Sequence, residues 1–326
     1  RTHPDQPPSV EVREGYRVIH VDAGPPRPLP IADLGPHVAE FGEGVVAATR
    51  GKGFDIVHSH YWLSGWAGVL VKEAHGLPLA NSFHTLGRVK DAARRRDESP
   101  SSPTRLRAEE GVIALSDCVI ASTPYEFEDL IDHYRASPER LCVSEPGIDH
   151  TLFSPGDRDA ARREIGITDE PLVLFVGRIQ AHKGLDVAVS MLPLIPNQVA
   201  AGSGPTNLMI VGGPSGGDGS GELDHLAARA RALGVADRVT FVEPQPHDRL
   251  VHYYRAADLL VMPSRSESFG LVAAEAQASG LPVVARRVGG LPYVIGSSVS
   301  GLLSQVHDPR ACAAATTAVL AQRGWR

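Results

Sequence analysis

One stretch, PSRSESFGLVAAE at residues 263–275, indicates both the fold and the chemistry of this chain. It follows the apolar segment 259–262 and opens a helical pattern, so Glu267 is predicted in a strand-to-helix loop and Glu275 inside the helix. The first amides of a helix have no partner within it, and that end is electropositive, which suits a phosphate. Since a carboxylate further along can accept hydrogen bonds from sugar hydroxyls, we interpret the stretch as a nucleotide-sugar cradle. The alternative is an ordinary helix start that carries two acids.

The composition is that of a globular protein of about two domains. The chain has 326 residues, 42% of them hydrophobic and 21% charged, and its net charge of -6 argues against a general nucleic-acid binder. Cys118, Cys142 and Cys312 share no metal-ligand spacing, so we expect buried free thiols in a reducing, cytoplasmic compartment. We expect neither a membrane-spanning segment nor a signal peptide.

Apolar strands alternate with helical segments along the whole chain. Strands are predicted at 17–21, 54–58, 78–83, 118–122, 140–143, 172–176, 208–211, 239–242, 259–262, 282–285 and 301–303, and helices at 63–75, 124–134, 184–194, 223–233 and 269–279. Strands rich in Val, Ile and Leu between helices predict an α/β fold with two doubly wound, Rossmann-like domains facing across a cleft. The polar, turn-rich segment 153–159 places the boundary between domains 1–153 and 154–326. The glycine-rich segment 215–221 lacks a phosphate-loop spacing and is predicted to be a flexible excursion.

A basic motif, GRIQAHKG at residues 177–184, directly follows the predicted strand 172–176. Its two cations, Arg178 and Lys183, would lie at the carboxyl end of a strand just before a helix. Two such cations can clamp a diphosphate. A solvated basic loop is the alternative, but the loop belongs to the same sheet edge as Glu267 and Glu275. We therefore predict a shared donor site.

Two histidine motifs occur in the first half, HSHYWLSG at 58–65 and HTLGRVK at 84–90, and each follows a predicted strand. A lone histidine is more often structural than catalytic, so His58 and His60 are predicted to support their loop. His84 lies at a strand end that would face the cleft, and it is predicted to face the ligand.

Together, these motifs resemble those of the retaining family 4 glycosyltransferases, which have the GT-B fold. The similarity covers residues 17–303 and is strongest to members that transfer N-acetylglucosamine from its UDP-sugar to 1D-myo-inositol 3-phosphate in mycothiol biosynthesis. The resemblance implies a UDP-sugar donor and a homodimer. Because the sequence shows no metal-ligand cluster and Arg178 and Lys183 could replace Mg²⁺, we expect no cofactor and no essential metal. The net charge leads us to expect no nucleic-acid partner. It also implies that the first strand and Gly-Gly loop of the first domain, and the last helices of the second, lie outside this chain.

The resemblance assigns roles residue by residue. It implies catalytic roles for His84, Glu267, Arg178 and Lys183. It implies donor contacts from Arg178, Lys183, Glu267, Phe269, Gly270, Leu271 and Glu275, with Glu275 at the ribose. It implies acceptor contacts from Tyr61, Thr85 and Arg105.

Two departures from the family pattern concern the acceptor and the base. Ile31 stands where a lysine would bind the acceptor phosphate, which removes a charge-assisted contact of about 1.5–3 kcal/mol. Arg88, Lys90 or Arg94 could compensate. Gln245 stands where an arginine would lie beside the base. An acceptor that is a neutral cyclitol, aminocyclitol or sugar therefore remains an alternative, as does a non-catalytic nucleotide-sugar-binding protein.

Overall fold

The computed structural model describes residues 5–95, 98–197, 199, 204–214, 219–296 and 299–322. The chain forms two compact units, one built from Arg1–Ala92 and Ser99–Glu145, the other from Ala93–Glu98 and Pro146–Arg326. Positions 215–218 of the predicted glycine-rich excursion lie outside the described residues, whereas Gly219 already begins a helix. Within the described ranges, no helix combines the length and apolarity needed to cross a bilayer.

An antiparallel hairpin precedes the parallel sheet of the first unit. It pairs β1 (Ser9–Arg13) with β2 (Tyr16–Ile19). The strand predicted at 17–21 is therefore present, slightly displaced, in a two-stranded sheet of its own.

The first unit is a four-stranded parallel sheet with helices. Its strands, in spatial order, are β3 (Val57–His60), β4 (Leu79–Ser82), β5 (Cys118–Ala121) and β6 (Leu141–Val143). Its helices are α1 (Val38–Thr49), α2 (Tyr61–His75), α3 (Gly87–Ala93), α4 (Pro103–Leu115) and α5 (Pro124–Tyr134). The core packs Trp62, Leu79 and Phe83 with Val119 and Leu130.

The prediction of three free thiols is wrong for two of them. Cys118 begins β5 and Cys142 lies on the adjacent strand β6, where their Cα atoms are 6.9 Å apart and a disulfide joins them. Cys142 is exposed rather than buried. Parallel pairing of two strands brings together cysteines that are far apart in sequence. Cys312 is free and buried, as predicted, and burial raises the pKa of its thiol to about 12.

The second unit is a six-stranded parallel sheet. Its strands are β7 (Leu172–Val176), β8 (Asn207–Val211), β9 (Val239–Val242), β10 (Leu259–Met262), β11 (Val283–Arg286) and β12 (Gly301–Ser304). Its helices are α6 (Arg158–Ile165), α7 (Leu185–Met191), α8 (Gly219–Ala232), α9 (His247–Ala256), α10 (Leu271–Ala278), α11 (Leu291–Val294) and α12 (Pro309–Ala321).

The spatial order of these strands is β12-β11-β10-β7-β8-β9, so the chain reverses direction across the sheet between β7 and β10. Alternate residues of β7 pack into two separate hydrophobic cores. Val173 and Phe175 belong to the core on one face of the sheet, and Leu172 and Leu174 belong to the core on the other. The sheet is therefore doubly wound, as predicted. In such sheets ligands bind beyond the carboxyl ends of the strands at the point of reversal.

At this edge the backbones after β7 and β8 are in direct contact. Gly212 has a φ of +151°, and a Cβ there would lie 1.9 Å from the carbonyl oxygen of Gly177. The Gly177 amide in turn donates to the carbonyl of Val211, at 3.0 Å. Only glycine combines this conformation with this approach.

We expect Gly212→Ala to destabilise the protein by about 2–4 kcal/mol, because alanine adds both backbone strain and a clash with a carbonyl. Gly111→Ala is the matched control, since its Cβ would meet nothing within 4 Å and it lies inside α4. It should be neutral or stabilising by up to about 1 kcal/mol. Chemical denaturation of both variants measures the difference, and equal stabilities would contradict the expectation.

Candidate functional site

The two motifs of the second unit lie side by side at the strand reversal, because β7 and β10 are neighbours. The Arg265 amide after β10 donates to the carbonyl of His182 after β7, at 2.7 Å. The backbone of Gly184 comes so close that a Cβ there would lie 2.1 Å from the Pro263 carbonyl oxygen. The loops predicted to share a sheet edge are thus in contact.

Two of the predicted site residues form an ion pair. The Lys183 Nζ donates to Glu267 Oε2 at 2.8 Å, and the two side chains are only 19% and 15% exposed. The cation predicted for the diphosphate and the carboxylate predicted for the donor sugar are therefore one hydrogen bond apart. Partial burial makes this interaction stronger than an exposed ion pair, because solvent screens it less.

A second ion pair joins the same loops, and the sequence analysis missed it. The Arg265 guanidinium donates to Asp186 Oδ2 at 3.1 Å, and both side chains are mostly buried. Arg265 lies within the 263–275 motif, two residues before Glu267, and Asp186 lies in the first turn of α7. The pair fixes the base of the loop that carries Glu267. Its partners are 79 positions apart, so no local sequence signal points to it.

Arg178 and the start of α10 offer unpaired donors. Arg178 is exposed, and its side chain bonds to no other described residue. Helix α10 begins after Gly270, whose φ is +102°, and no side chain caps it. The backbone amides of Leu271 and Val272 have no acceptor within the described part of the chain. The arrangement can accept an anion through a guanidinium and through helix-end amides.

Glu275 lies inside α10, and its carboxylate is hydrogen-bonded to a tyrosine of α9. Its Oε2 accepts a hydrogen bond from Tyr254 Oη at 2.7 Å. Burial raises the pKa of Glu275 above its ordinary value, while the Tyr254 hydrogen bond and the charge of nearby His247 act to lower it. Burial, and then the Glu275 charge, raise the pKa of the Tyr254 phenol, which therefore stays protonated and donates. Phe269, also predicted at this site, is half-buried in the loop before Gly270.

In the first unit, the structure brings together the three residues predicted to face an acceptor. The Arg105 Nη2 donates to the carbonyl oxygen and to the hydroxyl of Thr85, at 3.1 and 3.2 Å. The same guanidinium lies over the ring of Tyr61, 5.4 Å from its centroid. The three side chains thus form one cationic and aromatic cluster.

A buried carboxylate that the sequence analysis did not single out holds this cluster. Glu109 is fully buried and accepts from Arg105 Nε at 2.7 Å and from the Gly87 amide at 3.1 Å. The Tyr134 hydroxyl also donates to it. Arg105 and Glu109 are four residues apart on α4, so the helical spacing was the available signal.

The histidines of both motifs meet at the ends of β3 and β4. The His60 Nδ1 lies 2.8 Å from His84 Nε2, and the His58 Nε2 lies 3.0 Å from the Ser82 hydroxyl. Burial, followed by the nearby charge of His60, lowers the pKa of His84. Tyr61 and His84 have φ values of +74° and +61°, an uncommon conformation for residues other than glycine.

Ile31 and Gln245, the two positions that differ from the family pattern, take part in none of the contacts described above. Ile31 is exposed in a short 3-10 helix. Arg88, one candidate to replace the missing lysine, is already bound to Glu110 and to the carbonyl of His133. Lys90 is exposed, and Gln245 donates to the backbone next to it. Among the described residues, no three potential ligands converge to hold a metal ion.

Two family models match the chain, and together they span nearly all of it. "Glycosyltransferase Family 4" matches residues 2–173, and "Glycosyl transferases group 1" matches residues 157–325. A protein of Acidothermus cellulolyticus named D-inositol 3-phosphate glycosyltransferase is 44% identical over 94% of this chain and 69% of its own length. The protein of the same name from Thermobifida fusca is 42% identical over 99% of this chain and 75% of its own length.

Solved structures of similar fold are also glycosyltransferases. Sucrose-phosphate synthase from Thermosynechococcus elongatus has a TM-score of 0.89 and 32% identity, covering 100% of this chain and 79% of that one. WaaG, a glycosyltransferase of lipopolysaccharide biosynthesis, has a TM-score of 0.68 and 21% identity, covering 92% and 78%. At that identity, the second likeness concerns the fold alone.

We expect Tyr254→Phe to destabilise the protein by about 1–3 kcal/mol at mildly alkaline pH, because it leaves a half-buried carboxylate without its donor. The substitution also raises the pKa of Glu275 further. The difference in free energy of unfolding between parent and variant should therefore be largest above the pKa of Glu275. It should shrink as the pH falls through that pKa, because a protonated carboxyl group is not stabilised by the phenol as a carboxylate is. Urea denaturation across the acidic to alkaline range measures it.

Tyr253→Phe is the matched control. Tyr253 is buried beside Tyr254, but its hydroxyl bonds to no other described residue. A loss for Tyr254→Phe that is independent of pH and no larger than that of the control would contradict the role given to this hydrogen bond.

Proposed function

This chain belongs to the family 4 glycosyltransferases with the GT-B fold, and we propose that it transfers N-acetylglucosamine from UDP-N-acetylglucosamine to a cyclitol such as 1D-myo-inositol 3-phosphate, with retention. The observation that carries this proposal is the name shared by relatives more than 40% identical over nearly the whole chain. Each unit of the structure contributes a polar cluster that fits one substrate.

The donor fits the cluster at the strand reversal of the second unit. Arg178, Lys183 and the unpaired amides at the start of α10 would bind the diphosphate. Glu275 would accept from the ribose hydroxyls, and Glu267 from the sugar. Support comes from the contact of the two loops and from the 2.8 Å Lys183–Glu267 pair.

In the proposed reaction, the bond between the anomeric carbon and the diphosphate oxygen breaks, and the acceptor hydroxyl oxygen bonds to that carbon on the same face. The hydroxyl proton passes to the departing phosphate. Arg178 and Lys183 stabilise the charge that develops on this leaving group, so the scheme needs no divalent cation. His84 orients the sugar.

The acceptor fits the cluster of Tyr61, Thr85 and Arg105. The guanidinium provides a fixed positive charge for a phosphate, and the tyrosine ring offers a flat apolar face to a cyclitol ring. Glu109 neutralises part of that charge and fixes its position. By family resemblance we place the enzyme in the cytoplasm as a homodimer, since the Cys118–Cys142 disulfide removes the argument from free thiols.

A second candidate is a transferase of the same family that uses a neutral cyclitol, aminocyclitol or sugar. Ile31 favours it, because an apolar residue replaces the expected lysine and Arg88 is already bound to Glu110. A non-catalytic nucleotide-sugar-binding protein is a candidate of another class. The presence of His84, Arg178, Lys183 and both motif glutamates disfavours it.

We expect the purified protein to release UDP and to form a glycoside when given UDP-N-acetylglucosamine and 1D-myo-inositol 3-phosphate. NMR of the product should show that the anomeric configuration of the donor is retained. Arg105→Leu should reduce the preference for phosphorylated over unphosphorylated inositol by about tenfold, the value of one charge-assisted hydrogen bond. Arg107→Leu, an exposed neighbour on α4, is the control and should leave the preference unchanged.

Each other outcome selects an alternative. Turnover with unphosphorylated inositol alone would favour the neutral-acceptor transferase. Tight UDP binding without product from a panel of acceptors would overturn the enzyme proposal. An inverted product would overturn the retaining mechanism.

We expect Arg178→Ala to weaken UDP binding by about 10–100-fold, since it removes one charge-assisted contact to the diphosphate. Arg249→Ala removes an exposed arginine from α9 in the same unit and should leave the affinity unchanged. Isothermal titration measures both. Equal affinities of the two variants would place the diphosphate elsewhere.

A further inference from the structure

Two histidine rings meet edge to edge at the ends of the first unit's neighbouring strands. The His60 Nδ1 lies 2.8 Å from His84 Nε2, with ring centroids 5.1 Å apart and planes only 5° from parallel. Because the two nitrogens are much closer than the centroids, the rings lie nearly in one plane. This is the geometry of an N–H···N hydrogen bond, in which one nitrogen donates and the other accepts.

Such a bond holds one proton between two rings. The bond occupies Nε2 of His84, which leaves Nδ1 as its free ring nitrogen, since no other described residue bonds to the His84 side chain. If His60 donates, Nδ1 of neutral His84 carries the proton; if His60 accepts, Nδ1 is the acceptor. Either way, the bond to His60 fixes the plane of the His84 ring and links the tautomer of His84 to that of His60.

The backbone around the pair is held firmly. His60 ends β3, which pairs in register with β4 so that His60 lies opposite Ser82. The following residue, Tyr61, and His84 itself both have positive φ values. Conformations of this kind persist only where the surroundings fix them, and they concentrate at functional sites.

A third ring, that of His58, lies beside His60 without joining the bond to His84. The centroids of His58 and His60 are 4.3 Å apart, and the planes are inclined by 41°. Its Nε2 faces the Ser82 hydroxyl instead. His58 is therefore a matched control, a ring next to His60 that is bonded to a different residue.

We propose that His60 is a positioning residue, whose Nδ1 holds His84 Nε2 so that the other nitrogen of His84 faces the donor sugar in a single tautomer. The proposal rests on the proposed function for its catalytic consequence, but the hydrogen bond itself is independent of it. It replaces the earlier expectation that His60 only supports its loop.

The test compares His60→Ala, His60→Asn and His58→Gln in the purified protein. Asparagine can place its amide near the position of Nδ1, and glutamine can place its amide near Nε2, so each keeps one hydrogen bond. We expect His60→Ala to lower kcat about tenfold or more with the donor KM changed less than about twofold, because the ring is misplaced rather than the donor lost. His60→Asn should recover most of kcat, and His58→Gln should resemble the parent.

Nitrogen-15 NMR of the imidazoles provides a readout independent of activity. In the parent protein, His84 should show the two distinct shifts of one tautomer, and in His60→Ala the averaged shifts of a tautomeric mixture. Unchanged His84 shifts in His60→Ala would overturn the proposal, as would an equal loss of kcat in His58→Gln. If the parent transfers no sugar, the proposed function fails, and the NMR comparison still decides whether His60 holds His84.

Discussion

The loops that follow β7, β8, β10 and β11 touch through their backbones, and this contact sets the geometry of the second unit's site. A Cβ at Gly212 or Gly184 would fall about 2 Å from a carbonyl of the neighbouring loop, and one at Gly289 would lie 1.8 Å from the Glu267 carbonyl oxygen. Loops this close leave little freedom to the side chains between them. The backbones that carry Lys183 and Glu267 are therefore held next to each other, and glycine is what permits this approach.

The Lys183–Glu267 pair also has an electrostatic consequence. Each charge is partly buried, and an unpaired buried charge is costly, so each stabilises the other. In the proposed reaction, a diphosphate would compete with Glu267 for the ammonium, and the donor sugar would receive the carboxylate. The pair thus orients both groups before the substrate arrives, which is the condition for electrostatic catalysis.

The sequence was sufficient for features that depend on local pattern and on strand direction. Runs of Val, Ile and Leu located all six strands of the second unit to within a residue or so, and the parallel arrangement implied that Lys183 and Glu267 would lie at the same sheet edge. Prediction from the sequence failed for contacts that depend on the order of the strands and on how the helices are rotated. The Cys118–Cys142 disulfide requires β5 beside β6, and the Tyr254–Glu275 bond requires two helices on one face. Neither relation has a signature within one segment.

Both units have residues with positive φ values at the ends of their strands, but the residue types differ. At the strand ends of the second unit, positive φ values fall on glycines, so the backbone itself forms the surface. At those of the first unit, they fall on Tyr61 and His84, which carry side chains at a cost of about 1–3 kcal/mol each. That cost implies that the side chains are needed there. A site built from side chains changes its ligand by substitution more readily than one built from backbone, so we expect the acceptor site of the proposed enzyme to vary more readily than its donor site.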